Sequence, residues 1–441
     1  MIQILILTYF YCSSPSLAAN PTFNVQTFGA KSDGKSDCTN AFLSAWGAAC
    51  AAPKPATIYV PRGKYLLRNA YFNGRLCKNT AITMRIDGTL VAPSDYNVIA
   101  KSGSWLRFER VTGVSIYGGT LDAQGTKLWA CKNSGKSCPK GARSLAFYNS
   151  KNIIVNGLTS LNSQTFHVLF DRCQNAKIVN MKITAPGNSP NTDGIHLERS
   201  SGVSIMNSHI GTGDDCVSIG PGNSNLWIEN ISCGPGHGIS AAAQIMTMPR
   251  HSAAAQIKTM PRHSAAAQKC RLSQTRLLTL VMMIQRVFDD STRIGSLGWD
   301  LQEAGVQNVT VKTVTFTGTD NGLRIKTWAR PSNGFVRGVL FQDAAMVNVR
   351  NPIIIDQNYC PHHKNCPDQA SGVRISNVKY QDIHGTSSTQ VAVKFDCSKT
   401  HPCSGIRLDK INLTYRGKAA TAFCANAGGT ATRVVEPTSC L

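Results

Sequence analysis

The sequence predicts an all-β fold, a single parallel β-helix. Three observations lead there: short aliphatic segments recur, their spacing is that of a coil, and polar motifs repeat at the same spacing. The segments are Gly113–Ile116, Asn152–Val155, Ala176–Val179, Gly202–Ile205, Asn225–Ile228, Asn308–Val311, Gly338–Phe341, Gly372–Ile375 and Gly405–Leu408. Each is aliphatic or β-branched and follows small or turn-forming residues, the pattern of a short strand leaving a turn. From Val155 the steps to Val179, Ile205 and Ile228 are 24, 26 and 23 residues; from Val311 the steps to Phe341, Ile375 and Leu408 are 30, 34 and 33. A repeated strand with loops of variable length is how a solenoid appears in sequence. A β-sandwich would place turn signals every ~8–12 residues and would not hold this longer step.

One step breaks the series. Ile228 and Val311 are 83 residues apart, and between them lies a tandem repeat of period 12. Ser240-Ala241-Ala242-Ala243-Gln244 recurs from Ser252 and from Ser264, and Met248–His251 recurs at Met260–His263. An apolar run, Leu277–Phe288, follows, and the stretch has no strand-like alternation. Leaving out 241–293 shortens the step to 30 and the separation of His237 from Arg324 to 34, both one coil. The expected organisation is therefore a signal peptide at 1–19 and a β-helix at 20–441 interrupted by an insertion at 241–293. A purposeful surface loop or partner-binding helix is the alternative reading of that insertion.

Residues Ile2–Cys12 form an apolar run of signal-peptide length, and Ser16-Leu17-Ala18-Ala19 supplies small residues for cleavage. The run is too short to span a bilayer. Of the 16 cysteines, 14 remain once Cys12 and Cys270 are set aside, and Cys131/Cys138, Cys360/Cys366 and Cys397/Cys403 are close pairs. Such pairs close small loops in an oxidising compartment, and the chain has no C-x-x-C that would suggest zinc. Sequons begin at Asn230, Asn308 and Asn412. These features predict a secreted, extracellular glycoprotein, free of the membrane after signal cleavage and monomeric. The net charge is +22, or about +16 without the insertion, which carries eight Lys/Arg against Asp289 and Asp290. A basic exported surface favours encounter with a polyanion. No basic helix or aromatic RNA-binding pattern accompanies it, so nucleic acid is not the expected partner.

The polar motifs are Asn191-Thr192-Asp193, Asp214-Asp215, Gly236-His237-Gly238 and Arg324-Ile325-Lys326. Asp193 precedes Asp214 by 21 residues and Asp215 precedes His237 by 22. Coils stack ~4.8 Å apart, so residues one coil apart share a face. Three carboxylates and an imidazole would then meet in one patch. Crowded carboxylates cannot all ionise normally, which suits glycosidic cleavage, where one acid protonates the leaving oxygen and another group activates water. Successive strand residues point to opposite sides, so Asp214 and Asp215 can share a side only at a turn or bulge. Arg324 and Lys326, two apart on a strand, would face one way and bind an acidic sugar.

Taken with their flanks, Ser189–Gly194, Gly213–Cys216, Cys233–Gly238 and Arg324–Lys326 resemble the motifs of plant polygalacturonases, glycoside hydrolases with a right-handed parallel β-helix that cut pectin. The resemblance runs from about Phe23 to Cys440, with Gly-His-Gly-Ile-Ser followed in relatives by the Ile-Gly-Ser-Leu-Gly found here at Ile294. It implies an inverting mechanism on the α-1,4-galacturonosidic bonds of homogalacturonan in the cell wall. Asp214 would be the general acid, Asp193 and Asp215 would hold and deprotonate water, and His237 would tune the acid. Arg324 and Lys326 would grip substrate carboxylates, with Asn191 in the binding motif and Tyr359 lining the cleft. No metal or organic cofactor is implied. Pectate lyases share the coil but use calcium and an arginine base, making them the neighbouring enzyme class. The reading from another class is a non-enzymatic pectin-binding wall protein, in which extra coils from 241–293 carry Arg324 and Lys326 about two rungs, roughly 10 Å, out of place.

Overall fold

The computed structural model describes residues 20–241, 296–360 and 366–441, so most of the expected insertion and signal peptide lie outside the described residues. The fold is the parallel β-helix that the spacing predicts. The chain divides into two compact units. The first comprises Met1–His167, Cys173–Ile183 and Val203–Ser208, and the second Val168–Arg172, Thr184–Gly202 and His209–Leu441.

In the first unit one parallel ladder runs through Thr22–Asn24, Ala56–Val60, Ile82–Ile86, Val114–Tyr117, Lys151–Asn156 and Gln174–Val179. A second joins Asp33–Asp37, Lys64–Leu66, Thr89–Val91, Thr120–Asp122 and Thr159–Leu161. A third pairs Ala70–Asn73, Ser104–Glu109 and Arg143–Tyr148. Each rung gives its inward positions to the core. Phe72, Phe108 and Phe147 consequently stack, with ring centroids 4.5 and 5.0 Å apart. The helix Thr39–Ala51, which the all-β expectation does not include, buries Phe42, Ala45, Trp46 and Ala49, the i, i+3, i+4, i+7 stripe of an amphipathic helix. It sets Trp46 edge-on to Phe72 and Phe108.

The second unit carries two long ladders. One runs through Val168–Asp171, Ile195–Glu198, Val217–Ile219, Ile239–Ala241, Asn321–Trp328, Asn351–Tyr359, Val391–Asp396 and Thr421–Ala425. The other runs through Ser224–Cys233, Val306–Thr317, Phe335–Val349, Arg374–Ser387, Cys403–Tyr415 and Ala427–Glu436.

The residue at or just before the head of most predicted segments has a physical role. Gly113, Asn152, Asn175, Gly202, Asn225, Asn308, Gly338 and Gly405 all take a left-handed backbone, φ between 54° and 67°. Glycine and asparagine tolerate that conformation better than other residues, so they mark the corners. Asparagines at successive corners also bond one another, Asn175 to Asn152 and Asn308 to Asn225. One corner was assigned five residues early: Phe341 pairs with Tyr380 rather than Ile375, and the left-handed residue is Asn377 rather than Gly372. Ile375 is inward-facing too, but it pairs with Val336 near the start of a 14-residue strand, which made both positions look like rung starts.

Among the described residues six disulfides form, including the three close pairs, with Cys50–Cys77, Cys216–Cys233 and Cys424–Cys440 added. Cys38 is buried and in no bridge, contrary to a full pairing of the 14.

The rungs on either side of 242–295 pair directly. Ile228 faces Val311, and Ile239, Ser240 and Ala241 face Leu323, Arg324 and Ile325. No coil separates them. Ala241 is buried in its rung, so regular structure extends one residue into the stretch read as an insertion. Leu297 then bridges Thr327, two positions beyond Ile325 on the same neighbouring strand. A chain lacking 242–293, with Ala241 joined to Ile294, is therefore expected to unfold at the same temperature or higher, because fewer residues then separate two directly paired segments and bringing them together costs less entropy. Thermal unfolding checks this; a midpoint lower by more than about 4 °C would contradict it.

Candidate active site

The site is built from three successive turns and one long strand, all in the second unit. Asp193 closes the turn before Ile195–Glu198, Asp214 and Asp215 lie in the turn before Val217–Ile219, and His237 precedes Ile239–Ala241. The turns hold one another through the backbone. Gly194 N–H donates to the Asp215 carbonyl (2.9 Å), Cys216 N–H to the Gly238 carbonyl (2.8 Å), and His237 N–H to the Asp214 carbonyl (2.8 Å). Thr192 Oγ1 accepts from Gly213 N–H at 2.9 Å. A Cβ on Gly213 would lie 2.0 Å from the Ser189 carbonyl oxygen, so this close approach requires glycine. The Cys216–Cys233 bridge pins the chain immediately after Asp215.

These turns gather the expected residues. Asp214 and Asp215 do sit at a turn, where Asp214 Oδ1 accepts from Asp215 N–H at 2.8 Å, and so escape the alternation of a strand. His237 Nδ1 lies 3.1 Å from Asp214 Oδ1, and its Nε2 lies 3.7 Å from Asp320 Oδ2. Asn191 opens the first turn with a left-handed backbone, φ 56°, and is half-buried. Tyr359, paired with Trp328 on the neighbouring strand, is 7% exposed and lies under both cations, 5.0 Å from Arg324 Cζ and 5.4 Å from Lys326 Nζ.

The two cations have different surroundings. Lys326 is 1% exposed and donates to Asp215 Oδ2 at 3.0 Å, an internal counter-ion rather than a free grip for substrate. Burial explains this, since a carboxylate with almost no water contact needs a partner charge. Arg324 is half-buried, and its Nε has no protein partner among the described residues. Of the two cations it is the more exposed.

Burial and the charges of Asp214 and Asp215 push the Asp193 carboxyl well above its ordinary range. Burial also works to raise Asp214, but the hydrogen bond and charge of His237, helped by Lys326, outweigh it and hold Asp214 low. For His237 burial opposes the charged form, yet Asp214, Asp215 and Asp320 more than compensate and raise the imidazole. Of the three carboxyls Asp193 is thus the one pushed toward the protonated form, and the Asp214–His237 contact favours a proton on the ring. Burial pushes the Tyr359 hydroxyl well up, so it remains a neutral donor.

Four residues of this site escaped the sequence reading. His196 Nδ1 lies 3.4 Å from Asp193 Oδ2 and 2.9 Å from Ser218 Oγ, and Ser240 Oγ donates to Asp215 Oδ1 at 2.9 Å. The fourth is Asp320. Rung spacing could have found the first three, because His196, Ser218, Ser240 and Arg324 occupy paired positions on four successive strands.

Asp214, Asp215 and His237 also present ligand atoms within 4.8 Å of one another, close enough to hold a metal. The fit is poor: Asp214 is engaged by His237, and both oxygens of Asp215 by Ser240 and the Lys326 ammonium, which would repel a cation.

Removing the Lys326 charge by Lys326→Met is expected to destabilise the fold by about 3–5 kcal/mol, the usual cost of leaving a buried ion unpaired. Adding Asp215→Asn should restore part of that loss. Chemical denaturation of the single and double variants reads both, and additive losses would contradict the pairing.

The Glycosyl hydrolases family 28 profile matches residues 50–247 and 292–438, leaving out only 248–291 between the two blocks. A polygalacturonase of Prunus persica is 53% identical over 438 residues, 99% of this chain and 98% of that protein. An exopolygalacturonase of Platanus acerifolia is 38% identical over 414 residues, 93% of this chain and 95% of its own length. Among solved structures, endo-xylogalacturonan hydrolase from Aspergillus tubingensis superposes with a TM-score of 0.71 at 18% identity, covering 94% of this chain and 99% of that one. Polygalacturonase from Erwinia carotovora gives 0.61 at 20% identity, covering 94% and 96%. These two speak for the fold alone. With its β-helix and carboxylate cluster, the chain belongs to glycosyl hydrolases family 28.

Proposed function

We propose that this glycoside hydrolase cleaves the α-1,4-galacturonosidic bonds of pectic polygalacturonate with inversion, acting as a secreted monomer in the cell wall. The observation that carries the reading is the meeting of Asp193, Asp214, Asp215 and His237 on three successive turns beside Arg324. Polygalacturonases among its relatives support the substrate, and an oxidising compartment suits the disulfides. No helix among the described residues is long and apolar enough to cross a membrane.

In this proposal Asp214 protonates the glycosidic oxygen as the bond to the anomeric carbon breaks. Water attacks that carbon from the opposite face and gives its proton to Asp215, with Asp193 holding the same water. Inversion requires water to reach the anomeric carbon from the face opposite the leaving oxygen. Asp214 and Asp215 present oxygens within 4.8 Å of one another, closer than the roughly 6.5–9.5 Å usual for an inverting pair, so the stereochemistry rests on the family resemblance and not on that separation. With Asp214 held low and His237 raised, the ring whose Nδ1 lies 3.1 Å from Asp214 Oδ1 serves in this proposal as the acid's proton reservoir. As the leaving oxygen gains charge, Asp214 gives up a proton and takes one from the ring. Arg324, the half-buried cation over Tyr359, binds a galacturonate carboxylate, while Lys326 is the counter-ion of the base. The direct pairing of Ser240 with Arg324 argues against the non-enzymatic alternative, which needs extra coils between them.

Asp214→Asn is expected to lower kcat on polygalacturonate by about 10²–10⁴-fold, the range for a lost general acid. Reducing-end release measures it, and an Asp214→Asn protein as active as the unaltered chain would sink the assignment. Arg324→Ala should act chiefly on KM, raising it by roughly 10-fold or more through loss of a charge-assisted bond. Activity should fall as pH rises through the elevated His237 titration, because the pair then loses the proton it delivers. A pH profile of kcat checks this, and a limb unmoved by His237→Gln would contradict it.

A further inference from the structure

The outward face of the site's ladder is not lined by solvent-facing residues. His196, Ser218 and Ser240 occupy one row on three successive rungs, with Arg324 next in line, and the first three are 0% exposed. The carboxylates of the turns cover them. Each hydroxyl in the row is placed against a different acid. Ser240 Oγ donates to Asp215 Oδ1 at 2.9 Å. Ser218 Oγ bonds Asp193 and also lies 2.9 Å from His196 Nδ1, which itself stands 3.4 Å from Asp193 Oδ2.

The two acids beside the water are therefore held differently. Asp215 accepts on both oxygens, from the Ser240 hydroxyl and the Lys326 ammonium. Asp193 has a hydroxyl and an imidazole but no ammonium in contact. We propose that Ser240 is a positioning residue for the hydrolysis: with Lys326 it locks Asp215 as the single base that takes the proton of water, while Ser218 and His196 hold Asp193 as its hydrogen-bonding companion. The inference rests on the polygalacturonate reading and deepens it, because it divides between two residues a task that the sequence resemblance assigns to both.

The alternative is that Ser240 merely satisfies its own buried hydroxyl, which a nearby carbonyl could do equally well. Ser240 bonds instead to the carboxylate oxygen that Lys326 does not engage. A carboxylate gripped at both oxygens has its plane fixed, which leaves its remaining lone pairs aimed in one direction.

The test uses the full chain and three variants, Ser240→Ala, Ser240→Thr and Ser218→Ala. Asp215 faces Asp193 from the preceding turn, Asp214 on its own turn, His237 from the following turn, and Lys326 and Tyr359 from the strands beside it. Ser240→Ala leaves all of these in place and removes one donor. A carboxylate that loses a donor is protonated more readily, so the acid limb of the kcat profile should move to higher pH. We expect kcat to fall about ten- to a hundredfold with KM within about twofold, as for loss of one hydrogen bond to a charged group. Ser240→Thr, which keeps the hydroxyl, should recover most of the rate, and Ser218→Ala should leave the acid limb where it was.

The Asp215 carboxyl carbon, followed by NMR in aspartate-labelled protein, should titrate at higher pH in Ser240→Ala whether or not substrate is turned over. An unmoved carboxyl titration, or a Ser240→Ala enzyme with unaltered kcat and acid limb, overturns the inference. A lower unfolding midpoint with both pH readouts unmoved would make Ser240 structural and overturn it as well. Absence of hydrolysis by the unaltered chain would instead count against the polygalacturonate reading, and the carboxyl titration would still decide the role of Ser240.

Discussion

The contact between Lys326 Nζ and Asp215 Oδ2 spans 111 residues of chain and closes over 3.0 Å, and the site depends on it. It forms only if every rung between Val217–Ile219 and Asn321–Trp328 keeps its register. That register is carried by a short strand, Ile239–Ala241, whose three residues pair with Val217–Ile219 on one side and Leu323–Ile325 on the other. Slipping it by one residue would turn Ser240 inward and Ile239 outward. Hydrogen-bonded parallel pairing and burial of the alternate apolar positions thus decide, before any chemistry, which acid receives the ammonium.

From that contact the electrostatics of the cluster follow. Three carboxylates share a nearly dry site, so at most some of them can carry charge. Asp215 is matched by Lys326, and Asp214 by an imidazolium that Asp320 supports from its other side. Asp193 is left without a cation in contact, and burial beside two anions raises it. The sequence resemblance places the acid proton on Asp214. In the free site His237 holds the Asp214 carboxyl below its ordinary range and is itself raised by it.

Much of this was legible in the sequence because a solenoid converts linear spacing into proximity. Motifs 21 and 22 residues apart met as expected, and Gly and Asn at the corners announced the strands by the left-handed backbone they alone adopt cheaply. Where two such cues lay close together, at Gly372 and Asn377, spacing could not choose between them. A strand period gives no sign of the helix Thr39–Ala51, whose buried residues follow the 3.6-residue period instead. Lys326 was read as a substrate ligand because strand alternation gives the side a residue faces and says nothing of its partner. Ser218 and His196 carried no motif, and Ser240 entered only as the last residue of Gly-His-Gly-Ile-Ser. Only their shared rung position marks them.

The account stands or falls on water attacking from the face opposite the departing oxygen, because Asp215 is assigned as a base toward water and not as a nucleophile toward carbon. The most direct measurement is proton NMR of the first galacturonide released from an α-linked oligogalacturonate, recorded before its anomers equilibrate. The account predicts the β anomer as the initial product. Initial release of the α anomer would show retention, and with it a covalent intermediate that this arrangement of carboxylates was not proposed to form.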